Sequence, residues 1–279
     1  MSEPARRHIW LCADDYGISP AVNAAIRDLI ARQRLNATSA MAVAPSLTPA
    51  EAAALLEAAQ LRTAIGLHVT LTAPFRPLSP GFSPLRNGAF PPLAAMARRA
   101  LLRSLNRELL TTEIAAQFAA FRAAFGRTPD FIDGHHHIHV FPQIGEAVLT
   151  VTKAAAPDAW LRQCGRGRVA VGPKRLADPK GLFLDMLSRR FRKLARGHGM
   201  RTNPAFAGTY AFRNSADFAK LFPTFLDGMP DGGVIMCHPG SVDAELTRLD
   251  SLTDLREREY AFFGDDAFPR LLAAHGVAL

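Results

Sequence analysis

The sequence predicts an α/β fold, a parallel sheet with helices packed outside it, either doubly wound or closed into a barrel. Three observations predict it. Apolar runs of strand length alternate with amphipathic stretches of helix length along the chain. Acidic or histidine residues stand within or just after four of those runs: Asp14-Asp15, His68, the histidines after Asp133, and His238. The 279 residues also show no low-complexity linker and no internal repeat, which favours one domain.

The elements follow in order. Residues 8–13 (HIWLCA) form a short apolar strand that stops at Asp14-Asp15-Tyr16-Gly17. Ser19-Pro20 reads as N-cap and first helical residue, with Val22, Ile26, Leu29 and Ile30 on one helical face. Residues 37–43 are a second strand. Thr48-Pro49-Ala50-Glu51 is a capping box that opens an alanine-rich helix to about Gln60. Residues 64–72 are a third strand. Prolines 74, 77, 80, 84, 91 and 92 then indicate an irregular excursion over 73–110. Ile114, Phe118, Phe121 and Phe125 mark a helix ended by Gly126 and Pro129. Residues 131–133 are a fourth strand, 143–155 a helix and 160–162 a fifth strand. Phe183, Leu187, Phe191 and Leu194 give one amphipathic helix, residues 233–237 a buried strand, and 265–275 a last helix.

Composition narrows the class. With 48% apolar and 21% charged residues the chain is an ordinary globular protein, far too apolar to be disordered. No apolar run approaches the roughly 18–20 residues of a membrane helix. The N-terminal stretch has about six apolar residues before Asp14, too few for a signal peptide. Cys12, Cys164 and Cys237 are widely spaced and form no C-x-x-C pair, which indicates neither a disulfide framework nor a zinc–thiolate site. The expectation is a reduced, cytoplasmic protein. The net charge of +8 is local. Residues 162–201 hold twelve Lys/Arg against Asp178 and Asp185, so the remainder is slightly acidic. That pattern argues against a nucleic-acid binder and suggests a local basic face for an anionic ligand, a membrane surface or a partner.

In parallel α/β folds the loops at the carboxyl ends of strands open on one face, where active sites are built. Asp14 and Asp15, as successive residues of a strand, point to opposite sides. One can ligate a metal while the other acts on a bound water as general base; capping of the next helix is the competing reading. His68 by itself is more often a hydrogen-bonded core histidine. In DGHHHIHVFP (133–142), an extended segment puts His135, His137 and His139 on one side and His136 on the other. Asp133 could accept a hydrogen bond from a ligand imidazole. Cys237-His238-Pro239-Gly240 presents an imidazole at a sharp turn, and Arg162 either orients an anionic or hydroxyl-rich substrate or forms a surface salt bridge. Asp and His donors without cysteine suit Mg²⁺, Mn²⁺, Co²⁺ or Zn²⁺. Such a site supports hydrolysis, with a carboxylate taking a proton from water and a histidine protonating a leaving amine.

ADDYGIS (13–19), the Asn23 helix, TSAM (38–41), GLHVTLT (66–72), P-x-FIDGHHHIHVFPQ (129–143), MCHPG (236–240) and REREY (256–260) occur in collinear order. In these blocks the sequence resembles the carbohydrate deacetylases of the YdjC/ChbG-like family, relatives of the polysaccharide deacetylases. The resemblance implies a single domain over residues 1–279, an irregular (β/α) TIM-like barrel with 73–110 and 162–201 as excursions. It implies a divalent metal, most often Mg²⁺, on Asp15, His68 and His135. Asp14 becomes the general base, and His238 the general acid. His137 and His139 fit substrate contact or support of the ligands. The implied reaction removes N-acetyl groups from an amino sugar or chitooligosaccharide, and a homodimer is typical. The basic segment makes a glycolipid or anionic glycan the alternative substrate, with membrane contact through 162–201 the less favoured role. Two readings compete: another metal-dependent hydrolase on the same residues, and a silent barrel that only binds. The joint presence of Asp14 and His238 speaks against the second.

Overall fold

The computed structural model describes residues 6–60, 62–167, 178–212 and 216–279. The first strand pair is minor: β1 (Arg7–His8) lies parallel to β9 (Val277–Ala278), tying the two ends of the described chain together. The main sheet grows from the apolar run that follows, β2 (Trp10–Tyr16). It is flanked by β3 (Ala37–Ala40), β4 (Ala64–Val69), β5 (Phe131–Gly134) and β6 (Trp160–Leu161) on one side. On the other side lie β8 (Val234–Cys237) and β7 (Phe206–Ala207). All neighbours are parallel, in the order β6-β5-β4-β3-β2-β8-β7. The strand interiors are buried, as parallel strands covered by crossover helices must be. The buried apolar side chains form one contiguous cluster.

The helices are α1 (Pro20–Ala31), α2 (Pro49–Ala59), α3 (Leu93–Leu101), α4 (Arg107–Phe125), α5 (Ile144–Ala155) and α6 (Pro179–Gly197). They continue with α7 (Phe218–Leu226), α8 (Ala244–Leu249), α9 (Asp254–Gly264) and α10 (Ala267–Ala274). Local chemistry sets their ends. Ser19 Oγ accepts the Val22 N–H with Pro20 at the first helical position, and Gly126 closes α4 at φ +66°. Thr48 caps α2 by accepting the Glu51 N–H. The Glu51 carboxylate, instead of completing the capping box, pairs with Arg27 and the Tyr16 hydroxyl.

The expected α/β fold is present as one curled sheet, and the expectation for the proline-rich excursion needs correction. The sheet is a curled α/β arrangement of seven strands whose edges, β6 and β7, share no ladder. Isolated contacts span the seam: Leu161 N–H to Arg201 C=O (2.9 Å), Phe206 N–H to Gly165 C=O (3.1 Å), and the Asn203 amide on both backbone groups of Gln163. Isolated backbone bonds and one side chain thus stand where a closed barrel would have a continuous ladder. The 73–110 excursion also contains α3, which buries Met96 and Ala100, and α4 begins well before Ile114. Buried Glu113 on α4 accepts the Leu78 and Ser79 N–H groups and the Ser79 hydroxyl, fastening the proline-rich chain to the helix. No helix among the described residues is long and apolar enough to cross a membrane.

Candidate metal centre and active site

The carboxyl ends of β2, β4, β5, β6 and β8 deliver Asp14 and Asp15, His68, His135, Arg162 and His238 to one end of the sheet. Asp14 and Asp15 do face different partners, but simple strand alternation is not the cause. The β2–β3 register shifts between Ala13 and Tyr16, and Asp15 adopts φ +68°. A left-handed non-glycine residue costs roughly 1–3 kcal/mol and persists only where its surroundings hold it. Here Gly17, at φ +99°, completes the exit from the strand, with its N–H bonded to Asn23 Oδ1.

Asp15 Oδ1 lies 3.0 Å from His135 Nδ1 and 3.3 Å from His68 Nε2. One donor atom from each of the three residues falls within 4.8 Å of the others, and all three residues are buried. His68 Nδ1 faces Asp133 Oδ1 at 2.6 Å and Ser39 Oγ at 2.9 Å, which turns Nε2 toward Asp15. Burial opposes a charge on His68, yet Asp133 outweighs it and raises the imidazole pKa to about 10. Burial likewise works to raise the Asp15 carboxyl, but His135 and Arg256 hold it well below the usual range. One carboxylate and two imidazoles with converging donors suit a divalent cation, and three protein ligands leave positions for water and substrate. Cys12, Asp14 and Asp133 also cluster, but the Arg162 guanidinium already occupies the charge between their carboxylates.

Asp14 is held on both oxygens by Arg162, at 2.7 and 2.6 Å, and Arg162 Nη2 also approaches Asp133 Oδ2 at 2.6 Å as an ion pair. Arg162 is completely buried, as is His139, whose Nε2 meets the Arg162 carbonyl oxygen at 2.7 Å. Of the two readings of His139, substrate contact or support, its burial favours support, and Arg162 forms a buried ion pair in place of the substrate contact or surface salt bridge expected of it. Both lie beneath the site, Arg162 holding Asp14 and His139 holding Arg162. The histidine segment is not extended either. Residues His135–Val140 turn tightly, with a kink at His136 and His137, both left-handed at φ +56°. As a result His136 is exposed and His137 half-buried, His136 Nδ1 sits 3.0 Å from Thr72 Oγ1, and both rings line an apolar cavity of about 420 Å³. His137 Nδ1 lies 3.6 Å from Cys164 Sγ, and burial first, then Arg162, keeps its imidazole neutral.

His238 follows β8, with Nδ1 buried and without a hydrogen-bond partner among the described residues. Burial pushes its pKa down to about 4. Its backbone N–H donates to Glu259 Oε2 at 2.5 Å, and Phe212 packs edge-on to its ring at 5.6 Å. Asp15 Oδ2 accepts from Arg256 Nη2 at 2.6 Å, and the same nitrogen reaches Asp250 Oδ2 at 2.7 Å. Sequence reasoning assigns no role to Arg256, Glu259, Asp250 or Ser39. The REREY and TSAM blocks contain three of these residues, but nothing local says that they meet Asp15, His238 or His68.

The basic segment resolves into separate roles. Arg162 is in the core, Arg166 pairs with Asp185 and Asp178, Arg190 pairs with Glu146, and Arg201 donates to the Asp158 carbonyl. Arg168, Lys174 and Arg175 lie outside the described residues.

The chain is 28% identical to a carbohydrate deacetylase of Geobacillus stearothermophilus over 98% of this chain and 96% of the relative. It is 37% identical to a chitooligosaccharide deacetylase of Proteus mirabilis, over 47% of this chain and 50% of that one. In fold it is similar to a structure described as a cellobiose-phosphate cleavage protein from Enterococcus faecalis. That likeness has a TM-score of 0.75 at 21% identity, covering 99% and 97% of the two chains. A lactam utilization protein from Thermus thermophilus shares the architecture at a TM-score of 0.53 and 17% identity, over 98% of each chain. The YdjC-like protein family matches residues 8–274, from the strand before the paired aspartates to the last helix, and the chain belongs to that family.

Proposed function

We propose that the protein is a metal-dependent deacetylase that hydrolyses the N-acetyl group of an amino sugar or chitooligosaccharide. The observation that carries this reading is the convergence of Asp15, His68 and His135 beside a separately held carboxylate, Asp14, and an imidazole, His238. The named relatives supply the substrate class, since they are carbohydrate and chitooligosaccharide deacetylases. Asp15, His68 and His135 would hold the ion, Mg²⁺ by family resemblance, with Mn²⁺, Co²⁺ and Zn²⁺ compatible with the same donors. A divalent ion there supplies Lewis-acid polarisation and a more acidic water.

The chain's own residues divide the proton work. Asp14, oriented by two Arg162 hydrogen bonds, keeps lone pairs free to take a proton from the attacking water. His238 rests neutral; negative charge developing beside it raises its proton affinity, so it takes up a proton from solvent and passes it to the leaving amine, while Asp14 returns the proton taken from water to solvent as products leave. The amide C–N bond breaks and acetate and the free amine leave. His136 and His137 form the wall nearest the sugar, and Phe75, edge-on to His135 at 5.7 Å, closes the site from the proline-rich excursion.

A second reading rests on the cavity of about 420 Å³ that His136 and His137 share with Phe141, Leu187, Phe206 and Phe225. Its mostly apolar lining favours an N-acetylated sugar with an apolar aglycone, a glycolipid, over a free anionic glycan. Acetate release measured on N-acetylglucosamine oligosaccharides and on an alkyl-linked N-acetylglucosaminide tests both. The protein is assayed metal-stripped and then with Mg²⁺, Mn²⁺, Co²⁺ or Zn²⁺ restored. Metal-dependent acetate from the oligosaccharides supports the first reading, and acetate only from the alkyl glycoside supports the second. Bound metal with no acetate from either overturns both.

A further inference from the structure

Helix α9 carries two charged residues on its buried face, Arg256 and Glu259, and each is completely buried. They are three residues apart, so they point the same way from the helix. Arg256 reaches the centre from behind. Its Nη2 holds Asp15 Oδ2, which leaves Oδ1 as the oxygen that faces His68 and His135. Asp250 and the Leu252 carbonyl fix the guanidinium, and the Arg256 carbonyl accepts the Gly240 N–H at 3.1 Å, within the turn that follows His238. Glu259 reaches the same turn. Oε2 accepts the His238 N–H, and Oε1 accepts the Tyr210 hydroxyl at 2.7 Å. The Tyr210 ring packs on Phe212 at 4.2 Å, and Phe212 meets the His238 imidazole edge-on. Glu259 therefore grips His238 twice, through its backbone and through the aromatic pair against its ring. A carboxyl group buried beside Leu255 and Phe263 is unfavourable in packing terms alone, and an apolar side chain would fill the space more cheaply.

We propose that α9 is the positioning element of the site, in which Arg256 presents one oxygen of Asp15 to the metal and Glu259 aims His238 at the reacting amide. Neither residue touches substrate, so both are positioning residues. The inference rests on the deacetylase reading for its kinetic arm and stands apart from it in its binding and spectroscopic arms.

The test compares Glu259→Leu, Glu259→Gln, Tyr210→Phe and Arg256→Met in the full chain. Metal affinity is read by calorimetry with Zn²⁺ and with Mg²⁺, turnover by acetate release, and the His238 ring by NMR with labelled histidine. Arg256→Met weakens metal binding by about 10–100-fold, the usual effect of removing a partner behind a ligand. Glu259→Leu leaves metal affinity and KM near wild type and lowers kcat about 100-fold, the scale of one proton-transfer group. Glu259→Gln, which keeps an acceptor for the His238 N–H and a partner for Tyr210, recovers most of kcat. Tyr210→Phe lowers kcat several-fold at constant KM, and it tests the aromatic arm should Glu259→Leu not fold. In metal-free protein the His238 ring resonances broaden or split in the Glu259→Leu and Tyr210→Phe variants. Unchanged resonances, or an unchanged kcat in folded Glu259→Leu or Tyr210→Phe, overturn the role of Glu259. Unchanged metal affinity in Arg256→Met overturns that of Arg256. A wild-type protein that binds metal yet releases no acetate overturns the deacetylase reading instead, and the calorimetric and NMR arms still decide the positioning one.

Discussion

The two ends of the sheet differ in a way that cavity size alone would misjudge. At the amino ends of the strands lies a cleft of about 910 Å³, lined by Arg6, His8, Arg34, Asn36 and Arg62. It is roomy and positively charged, yet among the described residues it gathers no cluster of metal donors. At the carboxyl ends the polar side chains are packed into far less space. Asp14, Asp15, His68, Asp133 and Arg162 are each at most 2% exposed, and every one is engaged by another. Burying charges is unfavourable unless they are paired and hydrogen-bonded, so a fold that buries five of them together holds them there for chemistry. Convergence of paired, desolvated groups, and not volume, is what the proposed site rests on.

Removing one side chain from each end puts that contrast to its hardest test. His135→Ala abolishes measurable binding of the divalent ion by calorimetry, whereas Arg62→Ala at the amino end leaves it unchanged. A loss of metal in Arg62→Ala would erase the contrast. Next in size, Asp14→Asn keeps metal affinity within a few-fold but lowers kcat about 10²–10⁴-fold, because it removes the proposed base and leaves the proposed ligands. Full activity in that variant would move the base elsewhere.

His139→Ala separates support from contact. It removes the imidazole that holds the Arg162 carbonyl, and stability falls by about 1–3 kcal/mol in denaturant unfolding, with KM little changed. A large rise in KM would instead mean that His139 reaches substrate.

A smaller effect follows from Glu259, whose carboxyl is raised to about 7, chiefly by burial, against about 4.3 in an unfolded chain. The folded state then binds this proton more tightly than the unfolded state. Its stabilising contribution is complete below about pH 4 and is lost as pH rises through about 7. The melting temperature of wild type relative to Glu259→Gln accordingly declines between about pH 4 and pH 8. A flat difference would place the carboxyl at an ordinary value.

Smallest is Glu146, lowered to about 2, first by its hydrogen bond to Arg103 and against burial, on the exposed flank of α5. The sign is opposite. Its contribution is present above about pH 4.5 and lost as pH falls through about 2. Glu146→Gln therefore melts slightly below wild type at pH 7 and level with it near pH 2.

Much of this molecule is legible in its sequence, and the particular residues show why. The strands carrying Asp14-Asp15, His68, Asp133 and His238 announce themselves as apolar runs, because a parallel strand covered on both faces has no polar alternation to disguise it. Helix starts at Ser19 and Thr48 and the end at Gly126 follow from hydrogen-bond chemistry that spans three or four residues. Less legible are α3, short and set in proline-rich chain, and the shape of the histidine segment, where left-handed His136 and His137 break the alternation that an extended chain would give.

Local periodicity, capping and the common direction of parallel strands are enough to set the alternation of strand and helix. They also carry a particular group of Asp and His side chains to one end of the sheet. Which of those groups meet is a matter of the folded chain as a whole. Asp15 lies 241 positions from Arg256, and Asp14 lies 148 from Arg162. No local rule ties residues that far apart. Their pairing depends on the curl of the sheet and on where α9 packs, and in a buried site those pairings decide which carboxylate faces the two imidazoles and which is held by Arg162.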